Sequence, residues 1–374
     1  MDAHSLVPAP HVARPLRLLP FRGLTLDPSR IGAPGAVRGF TRPYRHVAER
    51  LERWERRGHV QHDAEPAVYL HEYAVGDLAV RALVGALDIS RLATDRDEVA
   101  VFPHEGIHPR QVDQLATRMR EMQINPAPIL LVHQGPERVR ALLDEVQEGP
   151  PVREFVDRGG QRHRVWAVRD PGQLATVDTA LAHQQVLIAD GHHRYAAYLQ
   201  LQRTHPSPAG RAGLAMLVDQ QDTPLRLGPV HRVLARTSLA DVADAARHTG
   251  AAFQEASREE ALAALTPDTL AVTDGRAWST VRLEVPADRL AVEVLHERLV
   301  PALRAVPGRV GYHHTVEDAL DAVGRRRGTA VLMPAPGFAE VLAACSADRL
   351  LPEKATSFQP KPNVGVLIRA LRDG

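Results

Sequence analysis

From Tyr44 to Arg57 apolar residues recur every three or four positions, with Tyr44, Val47, Leu51 and Trp54 on one face and arginines and glutamates on the other. This spacing predicts a helix that ends at Gly58. The period then falls to two: alternation in 67–73 and 79–89 around Gly76-Asp77 predicts a hairpin. A short strand at 99–102 runs into Pro103, and a helix follows over 109–124 with Pro109 in its first turn. Next come a strand at 129–133, a helix over 136–147, and a hairpin of 152–156 and 163–168 around Arg158-Gly-Gly-Gln161. A helix over 171–183, a buried strand at 186–189, a helix over 195–204 and a strand at 214–218 complete the first half.

Strands alternating with helices predict a mixed α/β fold. The first 40 residues are rich in Pro, Gly and Arg with an apolar island at 16–21, and read as an irregular arm docked on the body. Beyond a loop at 204–213 a second, smaller α/β unit is expected: a helix over 241–248, strands near 270–273 and 280–285, helices over 290–303 and 316–323, and a strand at 330–333. The boundary falls near residue 236, giving domains of 1–235 and 236–374. A chain of 374 residues exceeds the roughly 250 to 300 at which single cores stop growing, so two domains fit its length.

Composition narrows the partners. Charged residues make up 24% and the net charge is +1, so nothing draws the whole chain to nucleic acid or an anionic membrane, and any anion binding is local. No apolar run approaches the ~20 residues of a spanning helix, and the first twenty residues hold no uninterrupted apolar segment; the expectation is an untargeted cytoplasmic protein. Cys345 is the single cysteine, which rules out an intrachain disulfide or a cysteine zinc cluster and suits a reducing compartment. It follows an apolar run and reads as core. Among 46 basic residues only Lys354 and Lys361 are lysines, both near the end of the chain. That placement suggests a compact ammonium charge where a planar guanidinium would not serve; two ordinary lysines on a solvated tail are the alternative.

The densest chemistry lies in Asp190-Gly-His-His-Arg-Tyr195. Four apolar residues of a buried strand run into it and a helix leaves it, so polar groups gather where first-turn N–H groups and the positive end of the helix dipole favour an anion. Gly191 permits positive φ or a close approach of the backbone. Arg194 is suited to clamp phosphate oxygens, His192 and His193 to donate to them, and Asp190 to accept a substrate proton or hold a metal ion. The bland alternative has Asp190 capping the helix and the histidines exposed.

His104-Glu105-Gly-Ile-His108 matches the zinc-protease pattern letter by letter. That chemistry needs both histidines on one helix face, whereas Pro103, Gly106 and Pro109 argue for a loop. A strand end presenting His104 and Glu105 to a cleft, with Glu105 as a base, fits better; a plain surface loop remains open. His231-Arg232 after Gly228-Pro229 offers a second anion contact. Thr315, after Tyr312-His313-His314, is expected to cap a helix. Thr356, Ser357 and Lys361, with Lys354, form either a lid over a phosphate or a docked tail.

Taken in order, Pro20-Phe-Arg-Gly23, Val101-Phe-Pro-His-Glu105, Asn125-Pro-Ala-Pro-Ile129, Ile188-Ala-Asp-Gly-His-His-Arg-Tyr195, Pro229-Val-His-Arg232, Ala291-Val-Glu-Val-Leu-His296 and Pro352-Glu-Lys-Ala-Thr-Ser-Phe-Gln-Pro-Lys361 resemble the bacterial and archaeal family catalogued as domain of unknown function ten-fifteen. The resemblance implies a ParB/sulfiredoxin-like core in the N-terminal region and a small-molecule phosphotransferase, with free L-serine kinases as the related activity and pyrophosphate, ADP or ATP as donor. By the same resemblance Asp190, His192, His193 and Arg194 hold the phosphoryl group and the serine hydroxyl, Glu105 is the base, and Mg²⁺ assists. The other readings are a non-catalytic nucleotide- or phosphate-binding module of the ParB kind and a zinc hydrolase. One departure is that a Pro-Pro-Tyr-Asp-Val-Ile block common in the family has no counterpart between Gly39 and Tyr44; another is Gln114 after Asp113, where arginine is usual.

Overall fold

Alternating residues between 67 and 89 form the centre of a sheet. The computed structural model describes residues 6–32, 40, 43–326, 328–347 and 349–373, and the chain divides into two units, Met1–Leu225 with Pro360–Gly374, and Arg226–Gln359. The architecture is mixed α/β. In the first unit, strands Val12–Ala13 (β1), Leu18–Leu19 (β2), Gly23–Leu26 (β3), Val60–His62 (β4), Val68–Val75 (β5), Leu78–Asp88 (β6), Val99–Phe102 (β7), Ile124–Asn125 (β8), Ile129–His133 (β9), Arg153–Val156 (β10), Arg162–Val168 (β11), Val186–Asp190 (β12) and Ala212–Asp219 (β13) are interleaved with helices Val47–Glu55 (α1), Pro109–Met122 (α2), Glu137–Glu148 (α3), Pro171–Leu181 (α4) and His192–Thr204 (α5).

The main sheet runs β1-β7-β12-β9-β13-β6-β5-β11-β10, with β2 also on β6. Most of its pairs are antiparallel, but β12 runs parallel to β7 and β13 parallel to β9. Alternation sends Val68 and Leu70, Ile129 and Leu131, and Ala215 and Leu217 to one face, where they pack with Val112, Met119, Leu142, Leu181 and Leu199 of α2 to α5. Tyr69, His71, Tyr73, Leu130, Val132, Met216 and Val218 take the other face and are buried as well. Helix α5 lies very close to the sheet. A Cβ on Gly213 would stand 2.1 Å from the Tyr198 ring, so only glycine fits there.

The arm expected to be irregular is partly strand. β1 pairs with β7, and Tyr195 Oη donates to the Pro10 carbonyl at 2.8 Å. Such short pairings involve main-chain groups and leave no periodic signature. The departure between Gly39 and Pro43 falls largely outside the described residues.

The second unit contains Arg226–Gly228 (β14), His231–Ala235 (β15), Ala252–Ala256 (β16), Thr269–Thr273 (β17), Trp278–Arg282 (β18), Val310–His313 (β19), Gly328–Leu332 (β20) and Ser357–Gln359 (β21). Six of these form a sheet in the order β16-β18-β17-β20-β15-β19, and β14 pairs with β21. Val233, Ala271, Ala330 and Leu332 form its core with Ala319, Ala322 and Val323 of helix Val316–Arg326. The helix expected over 290–303 is a short α-turn, Ala291–Val294, followed by a π-helical turn, Leu295–Leu299. The units divide ten residues before the expected boundary because β15 belongs to the second sheet. Residues 360–374 return to the first unit, where Ile368–Ala370 pairs with β3 and β8. Cys345 is buried, as a core residue would be.

Two expectations follow. Gly213→Ala should destabilise the protein by about 1–3 kcal/mol, the cost of overpacking against Tyr198, read as a lower midpoint in urea unfolding. Burial drives the imidazoles of His71, His104 and His133 below their usual range, His104 and His133 to about 4. The unfolded chain, with histidines near pH 6.5, then takes up protons first. Stability should be fully present above about pH 6.5 and fall as the pH drops towards 4, by up to ~1.4 kcal/mol per pH unit for each histidine. Urea titrations at pH 7.5, 6 and 5 check this; equal stability at all three would refute it.

Candidate functional site

Because β7 and β12 are parallel neighbours, with Val101 opposite Val186 and Phe102 opposite Leu187, their carboxyl ends lie at one edge of the sheet. The two segments singled out by sequence, 103–108 and 190–194, therefore emerge side by side. Ligands of α/β sheets are commonly met at such strand ends.

A register shift aims the first of the site residues. Ile188 faces Leu131, yet Asp190 faces Leu130, so two residues of β12 oppose one of β9. Ile188 lies in the helix-packed core. Without the shift Asp190, two residues on, would point there as well. The bulge turns its carboxylate to the opposite face, where its side chain is 29% exposed.

Gly191 then starts α5 with φ +98°. That φ calls for glycine, and a Cβ there would also lie 2.9 Å from Arg194 Nη2, so the guanidinium would have to shift. Arg194 folds back over it. Its Nη1 donates to the Pro128 carbonyl at 2.5 Å and its Nη2 to Asp190 Oδ2. Lys361 Nζ donates to the other oxygen, Asp190 Oδ1. One carboxylate is thus shared by an ammonium and a guanidinium, and the three groups together carry one net positive charge at the start of α5.

The histidines face the 103–108 segment. The His104 N–H donates to His192 Nε2 at 3.3 Å, and the His108 N–H to His193 Nε2 at 3.0 Å. The rings pair accordingly: His104 meets His192 edge-on at 4.5 Å, and His108 stacks on His193 at 5.7 Å. A ring nitrogen that accepts an N–H carries no proton, so each of His192 and His193 holds its proton on Nδ1 and presents that side as a donor. Glu105 lies beside them, with its Oε2 3.8 Å from His192 Nδ1 and its Oε1 4.0 Å from His104 Nε2. Its side chain is 14% exposed.

Residues 103–108 are not helical, and α2 begins only at Pro109. His104 and His108 therefore do not share a helix face, and their rings meet the two histidines of the turn instead. This backbone does not build the zinc-protease geometry. Among the described residues no group of three or more His, Cys, Asp or Glu side chains is arranged to hold a metal ion.

The other predicted residues belong to the second unit. His231 is buried, its Nδ1 accepts the Met333 N–H at 3.1 Å, and burial lowers its pKa to about 4. Arg232 is 1% exposed. Its guanidinium donates to the carbonyls of Val230, Glu353 (3.3 Å) and Lys354 (3.0 Å), and to His296 Nε2 (3.3 Å). Where an anion contact is expected, the structure has this pair bonded to main chain and imidazole. Arg232 also explains the matching of His296 and the Lys354 segment as motifs, since it ties them together. Lys354 is exposed, with a left-handed backbone of φ 56°, while Thr356 is buried. Thr315 Oγ1 accepts the Asp318 N–H at 3.1 Å, the expected cap.

Several neighbours of the site escaped the sequence reading: the Pro128 carbonyl, the buried residues Tyr73, Asp157 and Gln161 that contact the chain around Lys361, and His163 behind Asp157. For Tyr73 and His163 the one visible signal was a polar group at an inward position of an alternating strand.

No curated protein matches the chain. Among solved structures, a free serine kinase in complex with AMP superposes with a TM-score of 0.41 at 16% identity, covering 73% of this chain and 90% of that one. A conserved hypothetical protein from Pyrococcus furiosus gives 0.40 at 15% identity, covering 73% and 94%. C-terminally truncated SbnI from Staphylococcus aureus gives 0.42 at 11%, covering 72% and 84%. A family profile described as protein of unknown function (DUF1015) matches residues 20–304, about three quarters of the chain, and the chain belongs to that family.

Proposed function

We propose that this protein is a small-molecule phosphotransferase whose phosphoryl group binds at the start of α5. The observation that carries the reading is the convergence of the helix start, Arg194 and Lys361 on one place, with Glu105 at the end of the neighbouring parallel strand. Phosphoryl transfer asks chiefly for positioning and charge neutralisation, and these groups offer both. First-turn N–H groups and the Nδ1–H donors of His192 and His193 suit the equatorial oxygens. Arg194 and Lys361 balance their charge.

Glu105 is assigned the base. The motif resemblance implies this role, and its carboxylate stands beside His192 and His104 after the neighbouring parallel strand, whereas both oxygens of Asp190 accept from cations. In the proposed step Glu105 takes the proton of the acceptor hydroxyl and that oxygen attacks phosphorus. The bond to the donor breaks and its electron pair leaves with the donor. Asp190 spaces the two cations. With both oxygens paired to cations, its carboxylate as arranged does not fit the metal-holding role expected of it.

The acceptor proposed is a small hydroxyl-bearing amino acid, L-serine first, and the donor pyrophosphate, ADP or ATP. Both come from the motif resemblance. The non-catalytic binding module shares the anion site and differs in leaving Glu105 idle.

Phosphorus NMR with L-serine and related hydroxy compounds against the three donors tests this. Wild type should consume one donor and form a phosphomonoester. Glu105→Gln should lower kcat by about 10²-fold or more while donor affinity stays within a few fold. Donor binding with no turnover on any acceptor would leave the binding module, and no binding at all would remove the phosphate reading. Lys361→Met should weaken pyrophosphate binding by about tenfold, measured by calorimetry; unchanged affinity would place the anion elsewhere.

A further inference from the structure

Lys361 sits in Pro360-Lys-Pro-Asn363, a segment without regular secondary structure, yet its main chain is fixed at several points. Tyr73 Oη donates to the Pro360 carbonyl at 2.8 Å. Gln161 grips the segment with both ends of its amide: Nε2 donates to the Lys361 carbonyl at 3.2 Å, and Oε1 accepts the Asn363 N–H at 2.9 Å. The Asn363 side chain donates to Asp157 Oδ2 at 2.5 Å.

Behind this grip lies a buried polar chain. Asp157 Oδ1 accepts the N–H groups of Gly159 (2.7 Å) and Gln161 (3.0 Å), which shapes the β10–β11 turn. His163 Nε2 lies 3.1 Å from Asp157 Oδ2, and His163 Nδ1 lies 2.9 Å from His71 Nε2. An ionised Asp157 only accepts, so His163 donates from Nε2 and receives the His71 Nε2–H on Nδ1. Asp157, Gln161, His163 and His71 are each 6% exposed or less. Buried polar groups are costly unless satisfied. Satisfied this fully, they form a rigid socket rather than a mobile turn. A lysine side chain has many rotamers, and on an unanchored tail its ammonium would have no fixed address; prolines on both sides and the socket beneath remove that freedom from the main chain.

We propose that Gln161, backed by Asp157 and Asn363, is a positioning residue that sets where the Lys361 ammonium stands beside Asp190. It contacts neither substrate nor reacting atoms, and its importance to catalysis rests on the reading of Lys361 as a phosphate contact.

The chain supplies its own probe, because Lys354 and Lys361 are its only lysines. With ¹³C,¹⁵N-lysine incorporated into the full chain, two side-chain ammonium signals are expected, assigned by Lys354→Arg. Asp190→Asn, which removes the ion pair, should move the Lys361 signal and calibrate the shift. Gln161→Leu should move it in the same direction by at least half as much and leave Lys354 in place. Asn363→Ala, at a half-buried position, should act likewise and decides the matter if Gln161→Leu does not fold. Pyrophosphate affinity should fall in Gln161→Leu by no more than the roughly tenfold expected of Lys361→Met, since the effect passes through Lys361. A Lys361 signal that stays at its wild-type position in the folded variants overturns the proposal. If the signal moves but pyrophosphate leaves it undisturbed in wild type, the socket stands and the phosphate reading of Lys361 fails.

Discussion

The bulge that sets Ile188 against Leu131 and Asp190 against Leu130 is the constraint on which the site depends. A strand alternates its faces with period two, so a carboxylate two residues after a core isoleucine would enter the core. An extra residue at the strand end reverses this. It places Asp190 opposite the helix-packed face, where Arg194 from the following turn and Lys361 from more than a hundred residues later can reach it. The parallel pairing of β7 and β12 does the rest, bringing the His104–His108 segment against the same turn. Neither relation follows from the individual side chains. Together they convert two short motifs into one constellation.

The electrostatics of this constellation differ from a simple anion hole. Two cations share one carboxylate, and both turn histidines accept main-chain N–H groups on Nε2. These bonds hold the groups of the site in place, with a modest positive excess and the two cations held apart by Asp190. An incoming phosphate would compete with Asp190 for Lys361 and Arg194 rather than fill an empty charge. That exchange is less costly than assembling the cations afresh, because their positions are already fixed. The proposed base, Glu105, lies beside His192 and His104 rather than between the two cations.

Much of this was legible in the residues. Alternation around Gly76-Asp77, the apolar runs at 99–102, 129–133 and 186–189, and the helical spacing after Pro109 and Pro171 all correspond to elements near their expected bounds. Each is written in side-chain periodicity, which burial enforces. Gly191 was readable for the same reason, since only glycine takes its φ beside Arg194. What stayed hidden is carried by main-chain partners or by long-range pairing. The strands of the N-terminal arm are two to four residues long, too short for a period to register. His231-Arg232 was read as a second anion contact; that Arg232 is buried and bonded to the carbonyls of Glu353 and Lys354 is a long-range relation its letters do not carry. Gln161 read only as the end of a hairpin turn, because nothing local announces that its amide will meet Lys361 two hundred residues away.

Everything proposed for this site requires that a phosphate-bearing ligand bind where α5 begins. A crystal structure of the protein grown with pyrophosphate tests it most directly. The anion is expected on the first-turn N–H groups of α5, within hydrogen-bond distance of Arg194 and Lys361, with the Asp190 carboxylate displaced from at least one of them. Pyrophosphate bound only among residues of Arg226–Gln359, with the Lys361–Asp190–Arg194 pairing intact, would contradict it.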